Sequence, residues 1–235
     1  MPERQYVAPS TFVPYIYTRD ELRRLLAAIP SLENSHRKTD TETLKMIILL
    51  LYTTGVATGE MLRIKRQDFD FRKRELTVLS PSKPISRRIP LSLELCKTLQ
   101  IYKKKNLLRH CEDPLFQTKK GEAISHRTIN LNFRCIRRVA KVGRLGNERL
   151  QPRLIDLRHT FAVHRIAAWL RHGADLNRMM PALSAYLGYV CLSSAEHYLR
   201  LNPERFRKQL DLLSTDTQRP VWRRDKELMA FVDGL

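Results

Sequence analysis

Arg153-Leu-Ile-Asp-Leu-Arg-His-Thr-Phe-Ala162 and, further on, Tyr186-Leu-Gly-Tyr-Val-Cys-Leu-Ser-Ser-Ala-Glu-His-Tyr198 are the stretches on which the reading of this chain turns. The first opens an amphipathic helix: Phe161, Val163, Ile166, Ala167 and Leu170 recur at helical spacing, so one face is expected to be buried. Arg158 and His159 fall in its first turn, where side chains can point out of the fold's rim. The second reads as a short helix ended by Gly188, a loop, and a further helix carrying Tyr198. Arginine offers a planar fork that matches phosphate oxygens, and a tyrosine hydroxyl can attack phosphorus. Delivered by neighbouring helices to one basic surface, Arg158 and Tyr198 make a phosphoryl-transfer arrangement.

The bulk of the chain agrees with a polyanionic partner. Lys and Arg total 43 against 24 acidic residues, a formal charge of +19 over 235 residues, and nucleic acid heads the list of partners for such an excess. No apolar run reaches the roughly 18–20 residues of a membrane helix. The first residues lack the charged-then-apolar layout of a signal peptide, so the cytoplasm is the expected location. Cys96, Cys111, Cys135 and Cys191 form no Cys-x-x-Cys pair, which argues against a zinc or redox motif and for reduced thiols.

Outward from the central helix the pattern is mostly helical. Thr18 and Glu21 form a capping box for a helix with Leu22, Leu25, Leu26 and Ile29 on its apolar face, ended by Pro30. A second helix runs from about Thr41 to Gly55, and Thr58 and Glu60 open a short third one through Ile64. Asp68 to Leu79 reads as strand, turn and strand, and Arg87 to Leu91 as a third strand, with Lys83 at the tip of the loop between. Ser92 caps a helix with Lys103, Lys104 and Lys105 on its exposed side. Ser125 caps a basic helix with Ile129, Phe133, Ile136 and Val139 inward and Arg127, Arg134, Arg137, Arg138 and Lys141 elsewhere. The expected class is mainly α with a small antiparallel β-sheet, α+β.

The segments Asp156-Leu157-Arg158-His159-Thr160, Tyr186-Leu187-Gly188 and Tyr198 resemble, in register, the boxes of the tyrosine recombinase or phage integrase family. That family reads His-x-x-Arg-His, then Leu-Gly-His with a nucleophilic tyrosine nine residues on. Phe12 to Tyr17 and His164 to Trp169 look especially like integrases of bacterial mobile elements. The resemblance implies a catalytic domain that binds duplex DNA and breaks and rejoins strands through a 3′-phosphotyrosyl bond, with no metal or nucleotide cofactor. It makes Tyr198 the nucleophile, Arg158 a phosphate-holding arginine, Lys83 the acid for the leaving 5′-oxygen (one residue out of family register) and His159 an assistant. Glu60 becomes a buttress of the first box.

Three positions depart from the family. Thr54-Gly55-Val56-Ala57-Thr58-Gly59-Glu60 stands where the family has Thr-Gly-Leu-Arg-x-x-Glu, so Ala57 takes the first arginine's place. Ile155 replaces the histidine of the second box, and Tyr189 the histidine after Leu-Gly. Arg63 and Arg66 are the nearest arginines in sequence to the lost one. The departures predict an impaired enzyme, or else a catalytically silent remnant that holds DNA or a partner. The expected organisation is an irregular segment over 1–14, a catalytic domain over 15–213 and a tail over 214–235, without the family's N-terminal core-binding domain. Residues 203–235, with Trp222 and Phe231, are the segment through which a homo-oligomer on DNA would form.

Overall fold

Thr18 sets the start of the first helix in the computed structural model, which describes residues 14–33, 39–79, 86–105, 113–144, 151–188 and 198. Its hydroxyl accepts the Glu21 N–H while the Glu21 carboxylate accepts the Thr18 N–H, so α1 (Arg19–Ala28) begins with two satisfied donors. A 3₁₀ turn at Pro30–Leu32 follows. Asp40 caps α2 (Thr41–Thr54), which is buried over most of its length and ends at Gly55. Gly55 adopts φ +64°, and a Cβ there would run into the Phe161 ring, so both backbone and neighbour demand glycine. Beyond it α3 (Thr58–Met61) is a single turn.

The sheet is small and antiparallel, in the order β1 (Phe69–Asp70), β2 (Glu75–Leu79), β3 (Ser86–Pro90). Phe69 faces Leu76, Leu76 faces Ile89, and Val78 faces Arg87. Directly paired residues share a face. Arg87 therefore lies on the inner side with Leu76, Val78 and Ile89, whereas Arg88 points out. Loop residues 80–85, Lys83 among them, are outside the described residues.

Four longer helices complete the described architecture: α4 (Leu93–Lys105), α5 (His126–Val139), α6 (Asp156–Arg171) and α7 (Leu176–Leu187). Helix α6 packs along α2 and against α7, and α5 lies beside α1. A main core spreads from Tyr17 to Leu157, and a second cluster gathers Phe161, Val163, Ile166, Leu183, Leu187 and Tyr198. The class expected from sequence, helices around one small antiparallel sheet, is the class observed. No helix among the described residues is long and apolar enough to cross a membrane.

Three local expectations need correction. Val139 is 49% exposed and Ala140 is buried in its place. At about 100° per residue, Ala140 falls nearly in line with Ile129 whereas Val139 is turned well away. Arg137, expected away from the inward face of α5, is only 8% exposed, because it sits one turn after Phe133 at the edge of the apolar stripe. Lys103, expected on the exposed side of α4, lays its stem inward. Its Nζ donates to the Arg66 carbonyl at 3.3 Å and stands 5.2 Å from the Phe71 ring centre.

Candidate functional site

The start of α6 is fastened from several sides. The Asp156 carboxylate accepts the Arg153 N–H at 2.7 Å and pairs with the Arg153 guanidinium at 3.3 Å. Tyr17, in the extended segment before α1, donates its N–H to Thr160 Oγ1 and its hydroxyl to the Arg153 carbonyl. On this fixed turn Arg158 points inward, not to the rim as its place in the sequence suggested. Its Nη1 donates to the Gly55 carbonyl at 2.8 Å, and Nη2 to the Leu187 carbonyl at 2.6 Å. The α2 and α7 helices both end in left-handed glycines, so their last carbonyls need outside donors. One guanidinium serves both ends.

Glu60 on α3 neutralises the charge this brings inside. Its Oε1 accepts from Arg87 Nη1 at 2.6 Å and its Oε2 from Arg87 Nη2 at 2.8 Å, a bidentate pair. Oε2 also accepts the Ala57 N–H at 2.9 Å and lies 3.8 Å from Arg158 Nη1. Burial raises the carboxyl's pKa, but the Arg87 and Ala57 hydrogen bonds and the charges of Arg87 and Arg158 outweigh it, and the net shift is downward. Arg87 spends its Nε on the Tyr186 carbonyl at 2.8 Å. A Cβ on Gly188, whose φ is +76°, would stand 2.9 Å from Arg87 Nη1. Three segments far apart in sequence are thus joined through Glu60 and two arginines.

Arg87 was read from sequence only as part of a basic strand. The available signal was its period-two partnership with Ile89, which puts a charge on the inner face and so requires a buried partner.

Next to Arg158 on α6, His159 Nδ1 lies 2.8 Å from the Tyr198 hydroxyl. Tyr198 is 2% exposed and packs in the second cluster with Phe161, Ala162, Leu183 and Leu187. The described state therefore brings His159 and Tyr198 together and puts Arg158 on the same helical turn, but it shelters both the phenol and the guanidinium from solvent. Lys83 and Tyr189 lie outside the described residues.

The substituted positions Ala57 and Ile155 share one feature. Both line a cleft of about 660 Å³ between the start of α3, the α5 helix and the 151–155 segment. Neither Arg63 nor Arg66 reaches it. Arg66 is buried elsewhere, giving Nη2 to the Lys103 carbonyl, and Arg63 is exposed. His126, Arg134, Arg137, Arg138 and Arg153 line the cleft instead. Among the described residues no three His, Cys, Asp or Glu side chains gather in a group able to hold a metal ion.

Residues 16–205 match the family model described as the phage integrase family. The chain belongs to that family. An S. fredii protein named as an integrase/recombinase, y4rB, is 30% identical over 212 residues, covering 86% of this chain and 66% of that protein. Tyrosine recombinase XerC of Staphylococcus aureus is 28% identical over 200 residues, covering 84% of this chain and 60% of XerC. The chain thus spans about three fifths to two thirds of the length of these phage-integrase relatives. The phage-integrase fold is also that of XerA recombinase, with a TM-score of 0.65 at 22% identity over 87% of this chain and 67% of that one. XerH bound to palindromic difH in a post-cleavage complex gives 0.64 at 20% identity over 83% of this chain and 52% of XerH.

Proposed function

We propose that this phage-integrase-family chain binds duplex DNA and breaks and rejoins its strands through Tyr198, at a rate reduced by its altered first and second boxes. The observation that carries the reading is the 2.8 Å contact between the Tyr198 hydroxyl and His159 Nδ1, with Arg158 one residue before that histidine. A phenol hydrogen-bonded to a ring nitrogen suits a nucleophile with an adjacent base. In the reaction, Tyr198 Oη bonds to phosphorus and its proton passes to unprotonated Nδ1. The P–O5′ bond breaks, and the leaving oxygen takes a proton from Lys83. Rejoining is the reverse. Because Tyr198 is buried, attack on a DNA phosphate requires the phenol to leave the second cluster. The basic composition and the DNA-bound state of relatives such as XerH support a duplex as substrate.

Ala57 and Ile155 favour a second reading, a DNA-holding remnant without chemistry. Removing one preorganised charge-stabilising donor costs on the order of 10²–10³ in rate, and an acid-base partner on the order of 10²–10⁴. The losses of a shared site do not simply multiply. A nicked duplex that traps the covalent complex separates the readings. Slow adduct formation that disappears in Tyr198→Phe supports the enzyme. No adduct with the unaltered chain or with Ala57→Arg/Ile155→His supports the remnant.

A further inference from the structure

The cleft lined by Ala57 and Ile155 carries a charge of its own. Arg137 forms part of its wall and is only 8% exposed. Its Nη1 donates to Gln151 Oε1 at 2.5 Å, and Gln151 is itself held by the Arg144 N–H and carbonyl. That clamp fixes the guanidinium in place. Its Nε, however, is buried and meets no hydrogen-bond acceptor among the described residues. A buried donor without an acceptor is costly, and among the described residues no carboxylate lines the cleft to take it. Among the described residues, Arg153 is the lining cation that pairs with an acid, Asp156. Exposed Arg134 and Arg138 stand on the same helix as Arg137, three residues before and one after it, and His126 stands at the helix start.

We propose that this cleft binds a phosphate group, with Arg137 as its fixed anchor and Arg134, Arg138 and His126 around its mouth. A planar guanidinium with an unmet buried donor suits an oxyanion, not a cation or an apolar ligand. The short side chain of Ala57 leaves open volume that the family's arginine would occupy. Resting on the duplex-DNA reading above, the inference assigns the phosphate to the DNA backbone. It makes Arg137 a substrate-positioning residue that no family box contains.

The test has two arms, each run on the full chain. In the first, thermal melting compares inorganic phosphate with chloride at equal ionic strength. Phosphate at ten times its dissociation constant should raise the melting temperature by about 3–6 °C. Arg137→Gln should abolish that rise. Should Arg137→Gln fail to fold, Ile155→Glu keeps the arginine and puts a carboxylate on the lining of the same cleft, and should abolish the rise equally. In the second arm, duplex affinity is measured across salt. Arg137→Gln or Ile155→Glu should weaken binding about tenfold, the size of one charged hydrogen bond, and flatten the log–log salt slope by about 1.

Equal melting in phosphate and chloride, with an unchanged duplex slope in the variants, overturns the phosphate site and leaves the DNA reading standing. A phosphate rise that depends on Arg137 in a chain that binds no duplex upholds the anion site and sinks the recombinase reading.

Discussion

Glu60→Ala should be among the most damaging single substitutions in this protein, although Glu60 is not assigned a chemical step. The change strips the carboxylate that stands between Arg87 and Arg158, whose side chains are 15% and 8% exposed. It removes two hydrogen bonds to Arg87, at 2.6 and 2.8 Å, and the one that the Ala57 N–H donates at 2.9 Å. Breaking a buried ion pair from one side costs about 3–5 kcal/mol, against total stabilities of about 5–15 kcal/mol. For a chain of this size, each kcal/mol moves the melting temperature by about 2–4 °C, so a fall of about 6–20 °C is expected. Urea unfolding followed by circular dichroism measures the loss directly. Glu60→Gln adds a pH signature. The native carboxyl titrates below its ordinary value, so its contribution is fully present above the unfolded pKa near ~4.3 and fades as pH drops through the lowered native one. The glutamine variant should lack that acid-side loss. A Glu60→Ala cost below about 1 kcal/mol would refute the view that Glu60 holds the two arginines in place.

Gly55→Ala should destabilise the fold by more than about 1–2 kcal/mol, the left-handed backbone penalty alone, because the new Cβ also meets the Phe161 ring; Phe161→Ala in the same chain should remove the steric part but not the backbone part. His164 is held below its usual pKa by burial and then by the charges of Arg19 and Arg171, with its Nδ1 3.1 Å from the Tyr52 hydroxyl. The unfolded chain therefore takes up the proton first, and stability should fall as pH drops below about 6.5; His164→Phe should flatten that region of the pH–stability curve. If the exposed Arg127, Arg134 and Arg138 of α5 each meet one DNA phosphate, replacing all three with Gln should flatten the salt slope of duplex binding by about 2.7. An unchanged slope would remove α5 from the DNA interface.

The helix boundaries were legible because their signals are local. Thr18 with Glu21, Ser125 and the two left-handed glycines each satisfy or end a turn within a few residues. The β1–β2 hairpin was legible for the same reason, since only residues 71–74 join its strands. What local pattern could not reveal was which charges turn inward. Arg87, Arg137 and Arg158 look like the exposed arginines around them, and their burial is set by partners far along the chain: Glu60 for the first, Gln151 for the second, and the Gly55 and Leu187 carbonyls for the third. The shelter of Tyr198 belongs to the same class, because it comes from the packing of α6 against α7 and not from the residues beside it.

The central claim is that the Tyr198 oxygen becomes covalently joined to DNA. The direct measurement is incubation of the chain with an end-labelled nicked duplex, followed by proteolysis and mass spectrometry of the labelled peptide. A slow adduct is expected on the peptide containing Tyr198, more of it in Ala57→Arg/Ile155→His, and none in Tyr198→Phe. An adduct that persists in Tyr198→Phe, or none in the double variant while it binds the duplex, would contradict it.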